Sequence, residues 1–154
     1  MADSDVIEIL LVEDNPSDAE LTLHALQKSK LANRIQLARD GEEALDFLFC
    51  RGQFSSRRIE LAPQLVLLDL KLPKVDGLQV LQAVKGDVRT KSIPIIVLTS
   101  SKEERDLVTS YRLGVNSYIQ KPVNFGEFQG VVQQMGMYWL LLNNRPPKAA
   151  FHSE

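Results

Sequence analysis

The stretch QLVLLDLKLPKVDG, residues 64–77, decides the fold of this chain. Its first half is an apolar run that stops on the carboxylate of Asp69, and its second half is a proline-containing turn that ends in an Asp-Gly pair. Continuous runs of Val, Leu and Ile bounded by turn signals are typical of central strands in a parallel sheet covered on both faces. The stretch therefore predicts a buried strand, a turn, and a helix capped by Asp76.

Other apolar runs share this design and also lead into polar residues. IEILLV is followed by Glu13 and Asp14, IPIIVL runs into Thr99, and the shorter SYIQ precedes Lys121. Because ligands of open α/β sheets bind beyond the carboxyl ends of the strands, we expect these side chains to converge there with Asp69. Three acids, a hydroxyl and an ammonium indicate a magnesium-assisted phosphoryl site.

Between the predicted strands, apolar residues recur at helical spacing. The helix after the first strand begins at Pro16, with Asn15 or Asp14 as its cap. Residues at helical spacing predict its buried face: Ala19, Leu21, Leu23, Ala25 and Leu26. Residues 34–38 alternate like a half-buried edge strand, and residues 52–63 lack periodicity and predict a long loop. The repeated alternation of strand and helix predicts an α/β fold with a doubly wound, five-stranded parallel sheet flanked by helices.

The last two predicted helices carry a possible contact surface. One spans residues 102–113, and the final helix follows a cap at Asn124. Residues 138–142 of the final helix are consecutive apolar residues that point around its axis, so one domain cannot bury them all. We expect a homodimer built on the fourth helix, the fifth strand and the final helix, with a contact face that includes Tyr138, Trp139 and Leu142.

Composition limits the class of protein. A chain of 154 residues with 44% apolar and 25% charged residues suits one globular domain, expected over residues 1–144 with a polar tail at residues 145–154. The net charge of −2 offers no basic surface for nucleic acid. No apolar run approaches the ~20 residues of a membrane helix and no basic leader precedes one, so we expect a cytoplasmic protein without membrane attachment.

Four motifs together resemble a known family. LLVEDN, LLDLKLPKVDG, IVLTSS and YIQKP follow the order and approximate spacing of receiver domains in two-component response regulators, over nearly the whole chain. The resemblance implies a flavodoxin-like receiver fold, bound Mg²⁺, a sensor histidine kinase as phosphodonor and a downstream protein as target. The long segment before Asp69 and the aromatic run at residues 137–139 further resemble the stand-alone receivers that serve cyanobacterial phytochrome kinases.

The resemblance implies a role for each acid. Asp69 is the phosphoacceptor, Asp14 binds Mg²⁺ directly, Glu13 acts largely through bound water, and the backbone carbonyl of Lys71 completes the protein ligands. Hard oxygen donors of this kind are what Mg²⁺ prefers. A plainer reading of the Glu-Asp-Asn run is a helix cap with favourable dipole charges.

The remaining site residues are expected to act on the phosphoryl group or respond to it. By the same resemblance, Lys121 neutralises phosphoryl charge, the hydroxyl of Thr99 donates a hydrogen bond, and Tyr118 turns inward when Thr99 moves. The plainer readings are a surface lysine, a strand terminus and an ordinary strand aromatic. Only bonds before proline adopt the cis form at modest cost, and the turn must aim the lysine back at the acids, so the Lys121-Pro122 bond is predicted to be cis.

Other classes compete with this interpretation. A haloacid-dehalogenase-like phosphatase also uses an aspartate nucleophile with Mg²⁺, but it places a second acid two residues later, where this chain has Lys71. A nucleotide- or flavin-binding domain is disfavoured because no Gly-rich loop follows the first strand. A receiver that serves only as a non-phosphorylated docking module stays open. We expect a phosphoacceptor and not an enzyme, with at most slow self-phosphorylation and self-dephosphorylation.

Overall fold

The computed structural model describes residues 9–29, 34–100 and 114–134, and they form a layered α/β fold. The strands are β1 (Ile9–Val12), β2 (Ile35–Ala38), β3 (Leu65–Asp69), β4 (Ile95–Thr99) and β5 (Ser117–Gln120). They form one sheet in the order β2-β1-β3-β4-β5, and every neighbouring pair is parallel. The predicted doubly wound, flavodoxin-like sheet is confirmed. The order reverses at β1 and β3, so the carboxyl ends of these two strands lie side by side.

The described helices are α1 (Pro16–Ser29), α2 (Gly41–Leu48), α3 (Gly77–Lys85) and α4 (Phe125–Gln134). The predicted loop after α2 contains one short 3₁₀ turn, Gly52–Phe54. The helix predicted over residues 102–113 and the predicted dimer residues Tyr138, Trp139 and Leu142 lie outside the described residues. Within the described ranges, no helix is long and apolar enough to cross a membrane.

Side-chain caps set where the helices begin. The caps predicted at Asn15, Asp76 and Asn124 are confirmed, because each accepts a hydrogen bond from the backbone N–H three residues later. Asp40 caps α2 in the same way. Asp76 and Gln79 form a complete capping box. These bonds satisfy N–H groups that the first helical turn leaves unpaired. Each helix therefore starts at a defined distance from the strand end before it.

The sheet separates two apolar clusters. The first cluster lies on the side of α2 and α3 and contains Phe47, whereas the second lies on the side of α1 and α4 and contains Leu26 and Phe128. Neighbouring strand residues alternate between them, as the pleat requires: Val66 belongs to the first cluster and Leu67 to the second. Burial on both faces removes the apolar strands from water and holds their register.

One prediction for α1 is wrong. Leu21 was expected in the buried stripe, but 54% of it is exposed. Ala19 and Leu26 are buried against the sheet. Leu21 lies roughly 200° around the axis from Ala19, because each residue of a helix turns by about 100°. The buried stripe of α1 is therefore narrower than its apolar content suggests.

The two leucines of α1 give a matched test of the packing. Leu26→Ala should lower the free energy of unfolding by about 2–5 kcal/mol, because it opens a cavity in the second cluster. Leu21→Ala should change it by no more than about 0.5 kcal/mol. Urea denaturation measures both variants. Equal losses in the two variants would contradict the described orientation of α1.

Candidate functional site

Four of the residues that the sequence singled out meet beyond the carboxyl ends of β1, β3 and β5. Carboxylate oxygens of Glu13, Asp14 and Asp69 lie within 4.8 Å of one another. The Nζ atom of Lys121 lies 3.1 Å from Oε1 of Glu13 and 3.1 Å from Oδ2 of Asp69. The predicted convergence of these four side chains is therefore present.

The register of the central strands brings two of the acids together. Val12 of β1 pairs with Leu68 of β3. The next residue along each strand, Glu13 and Asp69, therefore emerges beside the other and on the same face. This adjacency depends on the parallel pairing, because a shift of one residue would turn one carboxylate to the opposite face.

Burial makes it unfavourable for the carboxylates of Glu13 and Asp69 to be ionised at the same time. Glu13 is 1% exposed and Asp69 is 3% exposed, whereas Asp14 is exposed. Burial, followed by the hydrogen bond and the negative charge of Asp69, raises the pKa of Glu13 to about 7 against the opposing effect of Lys121. The cluster thus holds more negative charge than its lysine balances. Such a set of hard oxygen donors fits a divalent cation such as Mg²⁺.

Lys121 has a third acidic partner that the sequence interpretation missed. Its Nζ atom lies 3.0 Å from Oδ2 of Asp18, in the first turn of α1. Burial lowers the pKa of Lys121, but hydrogen bonds from its ammonium to Asp18 and Glu13, with the charges of Asp69 and Glu13, outweigh this and raise the pKa above its ordinary value. The only sequence signal for this contact is the position of Asp18, one helical turn after Asp14. An acid in the first turn is equally explained by its favourable interaction with the helix dipole.

The backbone also aims Lys121 at the acids. The Lys121-Pro122 peptide bond is cis, which confirms the prediction. The N–H of Lys121 donates to the carbonyl of Thr99 at 2.8 Å and so ties the end of β5 to the end of β4. The ammonium therefore extends from an anchored backbone.

Thr99 and Tyr118 lie on one face of the sheet. Val97 pairs with Tyr118, and Tyr118 packs half-buried against the first cluster, to which Val97 belongs. Thr99 lies two residues after Val97, so the pleat directs both to that face. Thr99 itself is buried. This arrangement allows the predicted coupling of the two residues, whose switch roles stay predictions.

The loop after β3 also contacts the carboxylate of Asp69. The backbone N–H of Lys71 donates to Oδ1 of Asp69 at 3.3 Å, while the Lys71 side chain is exposed. The backbone of Lys71 therefore lies where it contributes to the geometry of the site.

The raised pKa of Glu13 predicts how stability depends on pH without divalent metal. Its pKa is about 7 in the folded protein against 4.5 as the reference, so the folded state binds more protons between these values. Raising the pH through this window should therefore lower the free energy of unfolding, with a plateau above it. Urea denaturation at a series of pH values in the presence of a chelator measures the slope. Glu13→Gln should flatten it, and an unchanged slope in that variant would contradict the assignment.

Comparison with known proteins matches the arrangement to one family. Residues 9–133 match the response regulator receiver domain. The chain is 42% identical over 141 residues to the probable methanogenesis regulatory protein FilR2 of Methanothrix harundinacea, covering 92% of this chain and 88% of that protein. It is 39% identical over 132 residues to response regulator Rcp1 of Synechocystis, covering 86% of this chain and 88% of Rcp1.

Two similar solved structures are also response regulators. The bacteriophytochrome response regulator RtBRR superposes with a TM-score of 0.83 at 50% identity, over 95% of this chain and 87% of that one. The Mn²⁺-bound form of Rcp1 superposes with a TM-score of 0.69 at 38% identity, over 90% of this chain and 97% of that one. The shared fold, the acid cluster at the strand ends and the match over most of the chain lead to one conclusion. The chain belongs to the response regulator receiver domains, which signal through phosphorylation.

Proposed function

We propose that Asp69 accepts a phosphoryl group from a sensor histidine kinase and that the chain then signals by a conformational change at the face formed by the helix predicted over residues 102–113, by β5 and by the final helix. The observation that carries the proposal is the setting of Asp69. It ends a buried strand and lies beside two other carboxylates and the ammonium of Lys121. Aspartate carboxylates can act as phosphoryl nucleophiles, and the protein mainly has to align the partners and balance charge.

The residues beside Asp69 fit a divalent cation. In this proposal Asp14 and Asp69 hold Mg²⁺ directly, Glu13 acts largely through water, and the backbone carbonyl of Lys71 supplies a further oxygen. The excess negative charge that raises the pKa of Glu13 supports a cation in this cluster. Bound Mg²⁺ would neutralise charge on the phosphoryl oxygens. The Mn²⁺-bound structure of Rcp1 is that of a relative and supports the same class of ion here.

The other residues of the site align the phosphoryl group with Asp69 and balance its negative charge. A carboxylate oxygen of Asp69 forms the new bond to phosphorus as the bond from phosphorus to the histidine nitrogen of the kinase breaks. Lys121, already 3.1 Å from Asp69, places its positive charge beside the incoming phosphoryl oxygens. The Thr99 hydroxyl donates a hydrogen bond to them. Lys71 stands where a haloacid-dehalogenase-like phosphatase has its general acid, so any self-dephosphorylation is slow.

The relatives support a phytochrome-like kinase as the donor. RtBRR is described as a bacteriophytochrome response regulator and shares 50% of its aligned residues with this chain. We therefore propose that the cognate kinase is phytochrome-like, that the encounter takes place in the cytoplasm, and that a separate protein receives the signal. Residues 1–144 then form one receiver domain, and residues 145–154 form a polar tail.

Labelling of Asp69 tests the central assignment. With Mg²⁺ and either acetyl phosphate or the phosphorylated kinase, we expect one phosphoryl group per chain, measured by intact-mass analysis. Asp69→Asn should abolish the label, and Asp14→Ala should slow labelling and weaken Mg²⁺ binding, because it removes a proposed ligand. Asp46→Asn, which changes an acid of α2 outside the cluster, is the matched control. A label that persists in Asp69→Asn would refute the assignment, and a wild type that is never labelled would favour a docking module.

We also propose that two copies pair through this same face, formed by the helix predicted over residues 102–113, by β5 and by the final helix. Trp139→Glu or Leu142→Glu should shift the protein to a monomer in sedimentation analysis, because a buried charge opposes the apolar contact. Labelling of Asp69 by acetyl phosphate should be unchanged in both variants. A wild type that stays monomeric at high micromolar concentration, with and without beryllofluoride, would overturn the dimer.

A further inference from the structure

The loop from β3 to α3, residues 70–76, is held between the first residues of two helices. A Cβ atom on Gly41, which begins α2, would lie 1.7 Å from the carbonyl oxygen of Val75. A Cβ atom on Gly77, which begins α3, would lie 2.3 Å from the carbonyl oxygen of Asp69. Real Cβ atoms essentially never approach other atoms this closely. Neither glycine has a positive φ, so each is needed for space and not for backbone freedom.

Lys74 ties the same loop to the start of α2. Its Nζ atom lies 3.6 Å from Oδ2 of Asp40 and 3.5 Å from Oε1 of Glu42. The other oxygen of Asp40 accepts the capping hydrogen bond from the N–H of Glu43 at 2.7 Å. One carboxylate therefore both starts α2 and pairs with the loop. The backbone of Lys74 has φ of +66°, a conformation that side chains other than glycine rarely adopt.

We propose that the start of α2, residues 40–42, is a positioning element for the acceptor loop, with Gly41 and Lys74 as positioning residues. Lys74 follows Lys71 by three residues, and the N–H of Lys71 donates to Asp69. A displacement of the loop would therefore move both the carbonyl proposed as a metal ligand and the acceptor carboxylate. This inference rests on the proposed function of Asp69.

If Lys74 positions the loop, its loss should change Mg²⁺ binding and the rate of phosphorylation without changing the stability of the fold. The Lys74 side chain is 61% exposed, and ion pairs of an exposed lysine contribute little to the free energy of unfolding, so we expect the loss of Lys74 to leave stability nearly unchanged while it releases the loop. Displacements of about 1 Å at a reacting group can cost about 100-fold in rate. A merely structural role would instead change the stability and the site in parallel.

Lys74 variants test the ion pairs. Lys74→Gln should weaken Mg²⁺ binding in calorimetry and slow acetyl phosphate labelling by about three- to fivefold each, a change expected from exposed pairs. Lys74→Arg should restore both values. Lys74→Gly should lose as much as Lys74→Gln while its thermal unfolding temperature does not fall, because glycine adopts a positive φ without strain. Lys91→Gln is the matched control, since Lys91 is an exposed lysine without an ion pair among the described residues.

Gly41 variants test the close approach. Gly41→Ala should slow labelling and weaken Mg²⁺ binding by at least about tenfold, because the carbonyl of Val75 must move. Gly130→Ala is the matched control, since a Cβ there meets nothing within 4 Å. If Gly41→Ala does not fold, the Lys74 variants decide the question.

The outcomes distinguish this inference from the function on which it rests. A wild type that is labelled on Asp69, with Lys74→Gln and Lys74→Gly indistinguishable from it in both measurements, would overturn the positioning role alone. A wild type without label on Asp69 would overturn the proposed function first. Losses in Lys74→Gln and Lys74→Gly that Lys74→Arg restores would support the inference.

Discussion

Two carboxylates held side by side in a buried place are the constraint on which the site depends. Glu13 and Asp69 cannot both keep an uncompensated charge away from water, which is why the pKa of Glu13 rises to about 7. The ammonium of Lys121 offsets part of that charge and is itself shared with Asp18. A site with this surplus of negative charge favours the binding of a cation and, with the cation, of a phosphoryl group.

The apolar layers of the protein maintain this unfavourable arrangement. β1 and β3 are buried on both faces, so a shift of register in either strand would disrupt the packing of both apolar clusters. The carboxylates are thus held in place by packing that lies away from them. The helix caps also fix the loops at the carboxyl ends of the strands, because each cap makes its helix begin at a defined residue after the strand.

The sequence alone was sufficient for much of the fold and for the main acids. Apolar runs, capping side chains and turn residues are local signals, and their physical causes act over a few residues, so strands such as β5 and caps such as Asp76 were predicted correctly. Each acid ends a strand or lies just after one, and the carboxyl ends of neighbouring parallel strands meet at one edge of the sheet. The convergence of Glu13, Asp14 and Asp69 follows from that geometry without any distance being known.

Only the tertiary structure decided the contacts that depend on packing distance and direction. Lys121 and Glu13 are separated by 108 residues, and the additional pairing of Lys121 with Asp18 requires the actual placement of α1 over the sheet. The exposure of Leu21 depends on which side of α1 faces the sheet, and the contact between Gly41 and Val75 depends on how closely two backbones approach. A sequence pattern specifies the period and the chemistry of a face, whereas the orientation of that face and the space beside it are set by everything packed against it.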